Sequence, residues 1–215
     1  MKYLFSLFLL YVSPLLFSQS SNMASSSVSP LARYSNEWNS MKYSSCNTAA
    51  NATYLTQSEK DVIYILNLIR SYPALFAKTV LKKYPAFSGN DYLAADAYYF
   101  KSLVDTLLKL EPKQILYPDN SCFISAKSHA WQSGITGYVG HERKTRDARS
   151  KKHYFGECCD YGHNDPLDIV LSLLIDEGIP TFGHRVVCLS DYAKIGVSLQ
   201  PHKKYGTNAV LDFYY

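Results

Sequence analysis

The chain reads as an α+β domain. Its first two thirds carry apolar residues at helical spacing behind recognisable helix starts, its end alternates β-branched and aromatic side chains around one polar turn, and no strand–helix–strand rhythm links the two.

Residues 1–20 combine Lys2, an apolar run from Tyr3 to Phe17 and the small residues of Ser18-Gln19-Ser20, the pattern of a secretory signal peptide. The run is short for a membrane span and Pro14 interrupts it. The expected product is secreted or held at the cell surface, with no transmembrane span in its mature form. Residues 21–55, rich in Ser, Asn and Ala, show no apolar period and read as a low-complexity arm contributing little core. Trp38, Met41 and Tyr43 are its candidates for packing back, and Cys46 for a tether.

The domain itself is expected over residues 56–215. Thr56-Gln57-Ser58-Glu59 is a capping box, and Val62, Ile63, Ile65, Leu66 and Ile69 follow at helical spacing, which predicts a helix over 57–71. Pro73 starts a shorter helix through Leu75, Phe76, Val80 and Leu81. An amphipathic helix is expected over 91–110, closed by Pro112, and another from Asp119 or Asn120 to about Ser133, ended by Gly134 and Gly137. Cys122, Ile124, Ala126, His129 and Ala130 are its inward candidates. Asn164-Asp165-Pro166 starts a helix that should stop at Gly178. Lys194–Gln200 and Asn208–Tyr215 form the expected antiparallel pair of strands.

The formal charge of +4 comes from 22 basic and 18 acidic residues spread along the chain, which gives no case for a nucleic-acid partner. A Gly-x-Ser-x-Gly elbow, a phosphate loop and a dinucleotide fingerprint are all absent, and His141-Glu142 lacks the second histidine of a helical zincin motif. Five of the six histidines fall between 129 and 184, beside Glu157, Asp176 and Glu177. His141 follows Gly140 beyond a helix end, His184 lies in Gly183-His184-Arg185 after Pro180, and Glu157 follows Gly156. Imidazoles and carboxylates on such junctions suit a metal or acid–base cleft.

The order Ser125-Ala126-Lys127-Ser128-His129-Ala130, Gly137-Tyr138-Val139-Gly140-His141, Gly156-Glu157, Gly183-His184-Arg185 and Ile195-Gly196-Val197 resembles the CAP superfamily, that of the cysteine-rich secretory, antigen 5 and pathogenesis-related proteins, in its shorter bacterial secreted form. The resemblance covers roughly Thr56 to Tyr215. It implies a three-layer α-β-α sandwich with a cleft lined by His141, His184, Glu157 and a second acid, Asp176 or Glu177, of which Asp176 is favoured. His141 and His184 are the implied ligands of Zn²⁺ or another divalent cation. The implied partner is an extracellular ligand, a lipid or sterol among the classes, bound by a monomer. The alternative is a metal-dependent peptidase or esterase in which Glu157, with Asp176, acts on a zinc-bound water. The chain departs from the family pattern in reading Gly156-Glu157-Cys158, in lacking a tryptophan in the helix before Asp176, and in the short aspartate itself.

Cys46, Cys122, Cys158, Cys159 and Cys188 in an exported chain lead to an expectation of one or two disulfides. Adjacent Cys158 and Cys159 point apart in an extended segment, so a bond between them is not expected and each is open to a different partner; a bridge from one of them to Cys188 would pin the two halves of the proposed site together.

Overall fold

The structure, a computed structural model, describes residues 28–88 and 98–215. The expected signal peptide and the first part of the helix expected from Asp91, with Tyr92 and Ala95, lie outside the described residues. The architecture is mixed α and β, compatible with the expected α+β class: one four-stranded mixed sheet with helices packed on both faces.

Helix α1 (Gln57–Ser71) has the expected limits. Thr56 Oγ1 accepts from Glu59 N, and the Glu59 carboxylate accepts from Thr56 N at 2.7 Å. The other Glu59 oxygen accepts from Leu199 N, so the cap also ties the helix to the sheet. From Val62 to Arg70 every side chain of α1 is buried. Arg70 remains soluble in that core by donating to the backbone carbonyls of Gln114, Cys188, Ser190 and Tyr192.

The segment before α1 is not a bystander. Leu31, Tyr34, Trp38, Tyr43, Cys46 and Ala49 are buried in the main core, Trp38 Nε1 donates to Thr79, and Tyr43 meets Tyr72 edge-on at 4.7 Å. Met41 alone of the three packing candidates is exposed. Short 3₁₀ turns at Asn36–Asn39 and Met41–Cys46 carry these anchors, so no regular apolar period announces them.

After Pro73, helix α2 (Pro73–Phe76), a π turn (Ala77–Leu81) and α3 (Lys82–Ser88) follow one another directly, and α4 (Tyr98–Lys109) buries Leu103 and Leu107. Strand β1 (Tyr117–Pro118) leads into α5 (Asn120–Thr136), capped by Asp119 and ended by left-handed Gly137. Ile124 is exposed rather than inward. Gly134 does not end the helix. It lies within α5 where a Cβ would stand 2.1 Å from the Pro201 carbonyl oxygen, so its role is close packing.

The short helix α6 (Arg146–Ser150) precedes β2 (Gly156–Tyr161), a strand that periodicity did not reveal because both its faces are covered. Helix α7 (Pro166–Ile175) ends at Asp176, before Gly178, and α8 (Gly183–Leu189) follows. Strands β3 (Lys194–His202) and β4 (Gly206–Tyr214) form the expected hairpin, with sheet order β1-β3-β4-β2 and only β1–β3 parallel. Ile195, Val197, Ala209, Leu211 and Phe213 face the main core with α1 and α7, whereas Val210 packs with Ala126 and Ala130 of α5.

Gly196 allows α5 to touch the sheet: a Cβ there would lie 2.0 Å from Phe123 N and 2.1 Å from the Cys122 carbonyl carbon. Both are backbone atoms and have nowhere to go. Gly196→Ala is expected to destabilise the fold by about 3 kcal/mol or more, read from the midpoint of urea unfolding; a shift below about 0.5 kcal/mol would show that the helix moves away freely.

Candidate functional site

Three loop-to-element junctions converge on one side of the sheet. Gly140 has φ +130°, a conformation that L side chains rarely adopt. Its carbonyl is bonded to His129 Nε2 at 2.9 Å and its N–H donates to the Tyr161 hydroxyl at 3.0 Å. Held on both sides, this turn delivers His141 to the sheet, where its Nδ1 lies 2.9 Å from Glu157 Oε1 on β2.

The second junction is the α7–α8 corner. Asp176 ends α7 in the left-handed region, φ 58°, which an aspartate tolerates better than most residues. Its Oδ2 accepts from His184 N at 2.9 Å, and its Oδ1 lies 2.7 Å from His184 Nδ1. The left-handed turn brings the carboxylate to the start of α8, which offsets its shorter reach. Exposed Glu177 lines the same cleft. Arg185 turns inward instead, donating to the Leu174 and Ile175 carbonyls at the end of α7 and to Tyr99 O and Ser102 Oγ of α4.

The His141–Glu157 and Asp176–His184 pairs lie side by side: the rings of His141 and His184 are 5.9 Å apart between centroids, inclined by 38°, while Glu177 stands at the edge of the cleft with Asp176 and His184. Each imidazole spends Nδ1 on a carboxylate that is almost fully buried. That leaves Nε2 of each ring without a carboxylate partner, an arrangement also found in metal-binding histidines. The centroid spacing also fits two imidazoles on one ion, which takes roughly 5–6 Å.

Beneath this pair lies a network that sequence reasoning missed. Buried Arg143 donates to Glu157 Oε2, to Asp212 Oδ2 at 3.0 Å and to the Ser125 carbonyl at 2.7 Å. Glu157 and Asp212 are cross-strand partners on β2 and β4, so the guanidinium bridges two carboxylates that the sheet forces together. Burial pushes Glu157 up, but the bond from His141 and the charge of Arg143 outweigh it and leave the group below its ordinary range. Asp212 goes the other way, held well above the carboxylate range by burial and by repulsion from Glu157.

His129, Glu157 and Cys159 also bring ligand atoms within 4.8 Å of one another, a grouping that can geometrically hold a metal ion. Arg143 stands against Glu157 there and competes with any cation for its charge. Asp119, Cys122 and His153 make a similar grouping at the start of α5.

A cleft of about 410 Å³ opens beside the site, with Asp176, Glu177 and His184 at one side and His163, Asp160 and Tyr205 among its other walls. His163 Nδ1 lies 2.9 Å from Asp160 Oδ1, a further imidazole–carboxylate pair. Of the remaining histidines, His202 accepts from Lys204 N and Tyr205 N in the hairpin turn, and His153 stacks on Tyr214 at 4.4 Å. Comparisons with protein-family models, curated proteins and solved structures found no match.

The His141–Glu157 pair carries a pH signature. The bond to Glu157 raises His141 above the usual 6.5, so its contribution is complete below that value and lost as pH rises through the higher folded value. Glu157 is lowered from 4.5, so its contribution is present above that value and lost as pH falls through the lower folded value. The pair stabilises most between 4.5 and 6.5. In metal-free protein, His141→Gln is expected to lower the urea midpoint most near about pH 5.5 and least above about pH 8; a difference independent of pH would refute the pairing.

Proposed function

We propose that this chain is an exported CAP-type domain, an α-β-α sandwich, in which His141 and His184 hold Zn²⁺ or another divalent cation beside a ligand-binding cleft. The observation that carries the reading is the matched pair of imidazoles, each anchored through Nδ1 by its own buried carboxylate. Helices on both faces of the four-stranded sheet agree with the fold part of it. The signal-peptide-like pattern of residues 1–20 supports export.

A cation bound there supplies Lewis acidity toward an oxygen of the ligand. The chain's residues supply the rest. Glu157 and Asp176 select the tautomer and orient the rings, while Arg143 keeps Glu157 ionised and in place. Val139, Ile179 and Tyr205 expose apolar surface along the same cleft, which suits a lipid or sterol carrying a polar head. Among the described residues no helix is long and apolar enough to cross a membrane.

The hydrolase reading needs a base free to take a proton. Glu157 is engaged through one oxygen by His141 and through the other by Arg143, and is lowered in basicity. These facts favour a positioning role for it and hence binding over hydrolysis.

Isothermal titration with Zn²⁺ tests the reading. The His141→Ala/His184→Ala double variant should lose at least about 100-fold in affinity, and Asp176→Asn about 10- to 100-fold. Unchanged affinity in the double variant would remove the imidazole pair as the site. Hydrolysis of a peptide or ester panel that Glu157→Gln abolishes would instead favour the enzyme reading.

A further inference from the structure

One contact between reactive groups lies outside the imidazole site. Cys158 on β2 and Cys188 on α8 are buried with their sulfurs 3.8 Å apart, at van der Waals contact, and Cys158 Sγ also lies 3.6 Å from the His184 carbonyl oxygen. The strand's alternation decides which of the adjacent cysteines takes part. Cys158 faces the core shared with α7 and α8, whereas Cys159 faces α5, with its sulfur 3.7 Å from His141 Nδ1. Cys46 and Cys122 have no such neighbour: the sulfur of Cys46 meets Ser71 Oγ, and Cys122 sits at the start of α5. Cys188 comes one turn of α8 after His184, and Cys158 directly follows Glu157. The two thiols therefore sit on the two backbones that present the two halves of the site.

We propose that Cys158 and Cys188 are a disulfide-forming pair, closed by a low-molecular-weight disulfide such as oxidised glutathione, and that the bond fastens β2 to α8. One cysteine thiolate attacks the glutathione disulfide, forming a mixed disulfide and releasing one glutathione thiol. The second cysteine attacks the protein sulfur of that mixed disulfide and releases the other. Two protein thiols are oxidised, one glutathione disulfide is reduced to two thiols, and the thiol protons pass to the released glutathiones. Both sulfurs are inaccessible in the folded chain, so closure belongs to folding or to a transient opening of α8 from the sheet. A sulfur contact already made requires only a local approach to bonding distance. The crosslink would span 30 residues of chain and restrict the unfolded state accordingly.

The test does not depend on metal or ligand. The full chain is refolded in a mixture of reduced and oxidised glutathione, unfolded in denaturant with an alkylating agent, and mapped by mass spectrometry. The expected result is a linked Cys158–Cys188 peptide with Cys46, Cys122 and Cys159 alkylated. Adding a reductant before unfolding should make all five alkylatable and lower the Tm by about 5–10 °C. Cys188→Ala should alkylate at Cys158 under the same oxidising conditions and show no reductant-dependent Tm. Alkylated Cys188 in the oxidatively refolded wild type, or a bridge from Cys188 to any other cysteine, overturns the proposal. Should Cys188→Ala fail to fold, Cys158→Ala gives the same readout from the other side, with Cys188 alkylated.

Discussion

The guanidinium of Arg143 is the interaction on which the rest of the site depends. The β2–β4 register places Glu157 directly across from Asp212 on the face covered by α5, where two carboxylates without water would repel one another. Arg143 lies between them, and its other nitrogen reaches the Ser125 carbonyl of α5. Helix, strand pair and the loop after α5 are thus joined through one side chain. A buried ion pair of this kind adds little net stability over an apolar substitute, yet losing one partner costs about 3–5 kcal/mol because the other charge is stranded. Its value here is a fixed, ionised Glu157 on which His141 can be aligned.

The opposite half is built by a different device. Asp176 closes α7 with its backbone and holds His184 with both carboxylate oxygens. Arg185, the next residue, satisfies the carbonyls that the end of α7 leaves open. Left-handed backbone at both Asp176 and Phe182 marks this corner as one whose conformation is imposed by its surroundings. The two histidines consequently project from positions that neither can easily leave, one braced by the sheet and one by a helix corner.

The elements that could be read along the chain are those whose signals are local. A capping box with an apolar period placed α1, Asp165 and Pro166 placed the start of α7, and alternation placed the β3–β4 hairpin. Strand β2 escaped because burial on both faces erases alternation, and the segment before α1 escaped because its aromatic anchors are irregularly spaced. Gly134 was misread for a related reason: glycine within a helix suggests its end, whereas here the Pro201 carbonyl requires the absence of a Cβ. Of the candidate site, the pairs His141–Glu157 and Asp176–His184 were legible only as residues, not as pairs. The residues that support it, Arg143, Asp212, His129 and Tyr161, carried no motif of their own, since an arginine or an aspartate looks the same in a sequence whether it is solvated or buried.

The amino-acid sequence alone determined where most helices begin, which end of the chain pairs as strands, and which histidines and acids were worth bringing together. Those outcomes rest on contacts within a few residues, which order along the chain already contains. The tertiary structure alone decided that each imidazole has its own carboxylate, that one arginine resolves the repulsion between Glu157 and Asp212, and that Cys158 rather than Cys159 lies against Cys188. Each of these depends on register between distant segments and on burial, which sets both the partner of a polar group and its charge.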